Sequence, residues 1–295
     1  MCREVQLLGE VELLVVGRMK YIVITGVSTG IGYATAVSLT QAGYHVLGSV
    51  RKEADAQRLR SELGGNFTPL LFDVVDGEGI KTAVSQTRAI VGQHGLAALI
   101  NNAGISVAGP LLHMPLAEFR QQFEVNLFGL LDVTQAFLPL LGTERQFPPG
   151  RIINISSLSG QIAYPFMGAY AASKHALEAL SDALRRELLL YGIDVVVIEP
   201  GTVQTPIVGK FAEQIGRYLQ TDYGEVLTKV AAEAAGREHS AMPVEKVVRV
   251  VVQALEAKQP HTRYPIPRRW LTGWLLPRWL PDRWFDYMVG RQLGL

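Results

Sequence analysis

A single cysteine, Cys2, sets the first limit on this chain. One thiol cannot build an internal disulfide framework or a cysteine zinc cluster. That scarcity is compatible with a reducing compartment, and a cytoplasmic protein is the expectation. The six histidines are scattered, with no spacing such as H-E-x-x-H, so no metal site is expected. Net charge is only +1, which gives no whole-protein reason to expect nucleic acid as a partner. No apolar run approaches the length of a membrane-spanning helix. Internal repeats and low-complexity linkers are missing too.

The start of the chain lacks the pattern of an export signal. Glu4, Glu10 and Glu12 interrupt it, and the apolar piece Leu13–Val16 is too short. The first strand pattern begins near Lys20. Met19 is therefore expected to be the natural start, with residues 1–19 an N-terminal extension outside the fold.

What the chain has is length and apolar content. Its 295 residues, nearly half of them apolar, suffice for one large α/β domain with a full core. Short apolar runs at Lys20–Thr25, Tyr44–Val50, Phe67–Phe72, Leu96–Asn101, Gly150–Ser156 and Ile193–Glu199 read as strands covered on both faces. Helical patterns alternate with them near 31–42, 53–63, 77–92, 116–141 and 168–190. A further helix is expected over Pro243–Ala257 and a last strand over Thr262–Ile266. This alternation predicts a Rossmann-type, doubly wound parallel sheet of about seven strands with helices on both faces, in a single domain over 20–267. Residues 203–240 read as helical but irregular, suited to a mobile lid over a cleft.

Two segments carry chemistry. The first is Thr25-Gly26-Val27-Ser28-Thr29-Gly30-Ile31-Gly32, between a strand and a helix. Missing Cβ atoms at Gly26, Gly30 and Gly32 let backbone amides approach phosphate oxygens, and the helix start adds partial positive charge. Ser28 and Thr29 can add hydroxyl donors, and Ile31 opens the helix. A tight βα turn without ligand would use the same glycines, but the strand before and the helix after favour a dinucleotide pyrophosphate. The second strand ends Ser49-Val50-Arg51, with no acid to accept ribose hydroxyls. Arg51 can grip a 2′-phosphate, so NADP(H) is predicted and NAD(H) stays open. A solvated residue at the start of the next helix is the other role for Arg51.

The second segment is Tyr170-Ala171-Ala172-Ser173-Lys174. Four residues apart on a helix, phenol and ammonium face the same way. A nearby cation lowers a phenol's pKa, so the pair can exchange protons with an alcohol or ketone. Ser157 ends the fifth strand, at the crevice side of a parallel sheet, and can donate to the substrate oxygen. The neighbouring serines read as turn chemistry, and His175 as structural.

With these residues in view, the chain resembles the short-chain dehydrogenase/reductase family over about residues 20–267. The resemblance includes Asn101-Asn102-Ala103-Gly104 after the fourth strand, Asn126 in Val125-Asn126-Leu127-Phe128-Gly129, and Pro200-Gly201-Thr202-Val203-Gln204-Thr205 after the sixth. It implies that Tyr170 is the acid/base and that Lys174 lowers its pKa and bonds the nicotinamide ribose. It implies that Ser157 orients the substrate oxygen and that Asn126 holds a relay water. By the same resemblance Asp73 and Val74 contact adenine, and Asn102, Ala103 and Gly104 line the adenosine side. Pro200, Gly201, Val203 and Thr205 border the nicotinamide, and the long helices 116–141 and 168–190 join subunits in a homo-oligomer.

Gly48-Ser49-Val50-Arg51 and Pro260-His261-Thr262-Arg263-Tyr264 are similar to the branch with 17β-hydroxysteroid- and retinol-dehydrogenase-like proteins. That implies an apolar steroid, retinoid or lipid-like alcohol or ketone. A 3-oxoacyl or polyketide-type ketoreductase and a non-catalytic NADPH-sensing protein are the alternatives. All four tryptophans (Trp270, Trp274, Trp279, Trp284) lie in the tail 268–295, amid a local basic excess. Two roles suit such a tail: lying peripherally in a membrane interface, or packing on protein. Pro277 and Pro281 break it into short pieces.

Overall fold

The computed structural model describes residues 19–238 and 241–294. The expected N-terminal extension, and residues 239–240 of the expected lid, lie outside the described residues. Seven strands form one sheet: β1 (Tyr21–Ile24), β2 (His45–Val50), β3 (Phe67–Leu71), β4 (Ala98–Asn101), β5 (Arg151–Ile155), β6 (Asp194–Pro200) and β7 (Arg263–Ile266). All pairings are parallel, in the order β3-β2-β1-β4-β5-β6-β7. This is the doubly wound sheet that the alternation predicts.

The strand residues alternate between two cores, as a period of two requires. Ile22, Ile24, Ile100, Ile153 and Ile198 face one side, where α1 (Gly30–Gln41), α2 (Glu53–Leu63) and α9 (Val244–Glu256) cover them. Val23, Leu47, Leu99, Ile152 and Val195 face the other. There α3 (Gly77–Val91), α5 (Gly129–Phe137) and α6 (Gly168–Glu187) pack, with α4 (Leu116–Phe123) leading into α5. With both faces dry, the strands need no polar alternation, which is why they read as apolar strings.

Several strands end a residue short of expectation, yet the ladder bonds persist. Thr25 N donates to Ile100 O at 3.0 Å, and Ser156 N to Ile198 O at 2.8 Å. The expected helix 116–141 is interrupted by a π-turn at Glu124–Phe128 and closes as a 3₁₀ turn at Leu138–Leu141. Leu116–Leu141 is, by length and composition, long and apolar enough to cross a bilayer, which corrects the expectation that nothing approaches that length. Its buried face carries Gln122, Asn126 and Thr134, all bonded to protein, so it serves as a core helix.

The irregular region after Gly201 contains α7 (Pro206–Gly216) and α8 (Gly224–Glu238). The tail forms a π-turn at Leu271–Leu275, then α10 (Leu276–Trp279) and α11 (Asp282–Leu293). Pro281 stands immediately before α11, a position where its missing N–H costs nothing. The strand order reverses between β1 and β4. In such sheets the crevice outside the carboxyl ends of the strands at that reversal is where ligands bind.

Candidate active site

The crevice is built from two loops, one after β1 and one after β4. Gly26 (φ +71°) and Gly30 (φ +62°) adopt the left-handed backbone that glycine tolerates without strain. A Cβ on Gly32 would collide with Gly26 O and Asn102 Nδ2. The turn is thus packed as tightly as backbone allows, with Ser28 and Thr29 on its outer side. Asn102 sits beneath it: Nδ2 donates to Thr25 O (2.9 Å) and Gly26 O (3.0 Å). Thr25 Oγ1 accepts from the N–H groups of Asn102 and Ala103, each at 2.9 Å. Ser49 Oγ accepts from Gly26 N at 2.9 Å. Thr25 and Ser49 are buried, and their roles are not legible in the motif because their bonds span 77 and 23 residues of sequence. A glycine turn held from three sides, with a cradle that a Cβ would fill, fits a dinucleotide pyrophosphate.

Arg51 lies at the mouth, 72% exposed, with Nη1 3.6 Å from Asp73 Oδ2. It is free of the core, while Val50 beside it is buried. Arg58, unnoticed in the sequence, donates from Nη2 to Ser28 O at 2.9 Å and adds a second guanidinium beside the turn. Val74 is buried at the end of the β3 loop.

At the carboxyl end of β5, Ser157, Tyr170 and Lys174 come together. Ser157 accepts from Ser159 N (3.1 Å) and donates to Pro200 O (3.4 Å), and its hydroxyl pulls the pKa of the Tyr170 phenol down. Ser156 Oγ instead faces Gly160, away from that group. Lys174 is buried; Nζ donates to Ile155 O at 2.8 Å and lies 5.8 Å from the Tyr170 ring centroid. The expected depression of the phenol by this amine does not dominate. Burial pushes Tyr170 above its ordinary value, with the Ser157 hydrogen bond pulling the other way. Burial also lowers Lys174 to about 8, opposed by the charge of Glu178. Desolvation dominates because Lys174 is buried and Tyr170 partly so.

Asn126 lies in the π-turn and is buried. Its Oδ1 accepts from Ile105 N (2.9 Å), and Nδ2 donates to Ile105 O (3.0 Å) and Ser173 Oγ (3.3 Å). Both amide hydrogens are committed to protein. Gly104 leaves room for this amide: a Cβ there would meet Oδ1 at 3.2 Å. Two further amides grip the same loop. Gln122 brackets Ile105 and Val107, and Gln214 of α7 brackets Ser106 and Ala108. Gln214 ties the expected lid to the site, a link that only the fold reveals. The segment between Ser157 and Tyr170 is also fixed. Phe166, buried, takes φ +67°, costly for an aromatic residue, and its carbonyl accepts from Gly109 N at 2.8 Å. On the far wall, Pro200 and Val203 are buried. Gly201 N donates to Ile266 O (3.1 Å), and Thr205 stands before α7.

One turn beyond Lys174 lies a partly buried charge cluster. Arg263 Nε is 3.0 Å from Glu178 Oε2 and 3.7 Å from Glu199 Oε1, and its Nη2 is 3.0 Å from Asp182 Oδ1. Gln161 Nε2 donates to Glu199 Oε1 at 3.2 Å. Glu199 is fully buried, and burial, with the nearby Glu178 charge, raises it from 4.5 to about 7. A carboxyl raised in this way supports the fold while protonated. That support is complete below pH 4.5 and is lost as pH rises through about 7. Glu199→Gln should therefore lose less stability than the wild type between about pH 5 and about pH 8. Urea denaturation across that range checks it; equal pH slopes would refute the expectation.

Comparison with known proteins agrees with this geometry. Residues 20–216 match the family model described as short chain dehydrogenase. The chain is 40% identical over 276 residues to an NADPH-dependent 3-dehydrocapnine reductase from Ornithobacterium rhinotracheale, covering 93% of this chain and 98% of that protein. It is 39% identical over 189 residues to mouse (Mus musculus) retinol dehydrogenase 16, covering 64% of this chain and 58% of that protein. A short-chain dehydrogenase from Streptomyces avermitilis superposes with a TM-score of 0.69 at 29% identity, covering 84% of this chain and 88% of that one. The chain belongs to the short-chain dehydrogenase family and is an oxidoreductase acting between alcohol and carbonyl groups.

Proposed function

We propose that this oxidoreductase is NADP(H)-dependent and reduces a ketone on an apolar, lipid-like substrate, with Tyr170 as the proton donor. One observation carries the reading: Ser157, Tyr170 and Lys174 lie together at the crevice end of β5, with the Lys174 amine 5.8 Å from the Tyr170 ring centroid. The relatives named NADPH-dependent 3-dehydrocapnine reductase and retinol dehydrogenase 16 support the cofactor and substrate class.

The turn Gly26–Gly32 would hold the pyrophosphate, and Arg51 the 2′-phosphate. Asp73, Val74, Asn102, Ala103 and Gly104 would border the adenosine, with Pro200, Gly201, Val203 and Thr205 beside the nicotinamide. When bound, the reduced cofactor would supply the hydride for the carbonyl carbon. Ser157 donates a hydrogen bond to the carbonyl oxygen, and Tyr170 gives that oxygen its proton. Lys174, as ammonium, stabilises the phenolate left behind. Asn126, its side chain bonded to Ile105 and Ser173, would hold the relay water. Burial raises the phenol, so Tyr170 is protonated at neutral pH, and the Ser157 hydroxyl and the positive charge of Lys174 work against that rise as the proton leaves. The exposed side chains of Phe128, Leu189 and Leu190 lie on or beside the long helices and suit contact between subunits of a homo-oligomer.

Tyr170→Phe should bind NADPH normally, by fluorescence titration, yet lose turnover by about a thousandfold or more, the scale of a missing general acid. Normal kcat in that variant would end the mechanism. In the wild type, reductive kcat/KM should be flat at neutral pH and fall as pH rises through about 8, where Lys174 loses its charge. A profile level to strongly alkaline pH would contradict that role. Arg51→Ala should cut the preference for NADPH over NADH by about tenfold, the loss of one exposed charge-assisted contact. An unchanged ratio of kcat/KM values would remove Arg51 from cofactor choice.

A further inference from the structure

The tail is two-sided. On α11, Phe285 and Leu293 turn inward: Phe285 meets Tyr164 edge-on at 5.9 Å, and Leu293 packs on the Phe166, Ile215 and Tyr218 cluster. Trp274 is likewise buried, with the Arg278 guanidinium 4.6 Å from its ring centroid. The outward side is different. Trp284, Tyr287, Met288 and Arg291 follow i, i+3, i+4, i+7 spacing, so they form one ridge of α11. Trp284 is 70% and Tyr287 69% exposed, and Trp279 at the end of α10 is 83% exposed. Trp270, Leu271, Leu275 and Leu276 are exposed on the preceding turns.

We propose that this outer face of residues 268–294 is a docking surface for an anionic lipid bilayer. Trp and Tyr carry an apolar body with a polar tip and settle at the headgroup level. Four arginines (Arg268, Arg269, Arg283, Arg291), besides Arg278 on the buried Trp274 ring, accompany them against only Asp282 and Asp286. Arginine can lay its stem on apolar surface while its head meets phosphate. The same charge argues against a second copy as the occupant. A two-fold contact would set the patch against itself, arginines facing arginines. A sheet of anionic headgroups over hydrocarbon complements both the charge and the aromatics. The docked face also has an address. Its inner edge rests, through Phe285, on the segment that runs between Ser157 and Tyr170. The bilayer would therefore lie beside the entrance of the crevice. This surface does not depend on the catalytic reading.

The test is flotation of the full-length protein with vesicles of phosphatidylcholine alone and with about one-third phosphatidylglycerol, the fraction that sets a strong surface charge. The wild type should float with the anionic vesicles. Trp279→Ser combined with Trp284→Ser, at unchanged melting temperature, should reduce the bound fraction by about tenfold or more. Arg283→Gln combined with Arg291→Gln should reduce it on anionic vesicles only. A wild type that stays unbound, or variants that float equally, would overturn the proposal. So would a tryptophan variant whose only change is a smaller oligomer in sedimentation, since the partner would then be another copy of the chain.

Discussion

Asn102 and Thr25 tie the carboxyl ends of β4 and β1 together, and the crevice is built from that tie. One amide donates to two carbonyls of the glycine turn, and one hydroxyl accepts from two amides of the facing loop. Every polar group used here is buried or half-buried, so each unmade bond would carry the cost of desolvation. The result is a turn fixed in place, with the N–H groups of Gly26 and Val27 committed to Ser49. Gly32 belongs to the same constraint, because its missing side chain is the space that the Asn102 amide occupies.

The second determinant is burial of charge. Tyr170 and Lys174 are adjacent on α6, but adjacency alone does not fix their protonation. Lys174 is buried and Tyr170 partly buried, and that moves the phenol up and the ammonium down. Glu178, one turn further along the helix, opposes the second shift. Glu178 is held in turn by Arg263 from β7, which also reaches Glu199 and Asp182. The amine thus sits between a backbone carbonyl and a carboxylate network, and its charge depends on residues from three elements.

What the sequence made legible follows from range. The glycine turn, the tyrosine-lysine pair and the strand runs are local patterns, and a local pattern carries its own geometry. Ser49, Thr25, Gln214 and Arg263 act across 23 to 108 residues of chain, so no spacing rule reaches them. The π-turn at Asn126 hid for another reason. Helical periodicity over 116–141 is continuous, and only the bonds from the Asn126 amide to Ile105 and Ser173 show why one extra residue is accommodated there. The phenol's upward shift was hidden too. Helical spacing identifies a neighbouring cation, whereas desolvation is a property of everything packed around the pair.

Tail and site meet through the same logic of partial burial. Trp274 and Phe285 could have been read with the other aromatics as one amphipathic surface, because spacing does not say which ring turns inward. In the fold those two turn toward protein, while Trp279, Trp284 and Tyr287 stay out. A tail that only packed on protein would have no reason to leave its largest apolar side chains in water, where each exposes area that burial would stabilise. A tail that only bound a surface would have no reason to brace the strained Phe166 segment. The division of rings between two faces is what lets one short stretch of chain do both, holding the wall of the crevice from inside while presenting arginine and tryptophan outside.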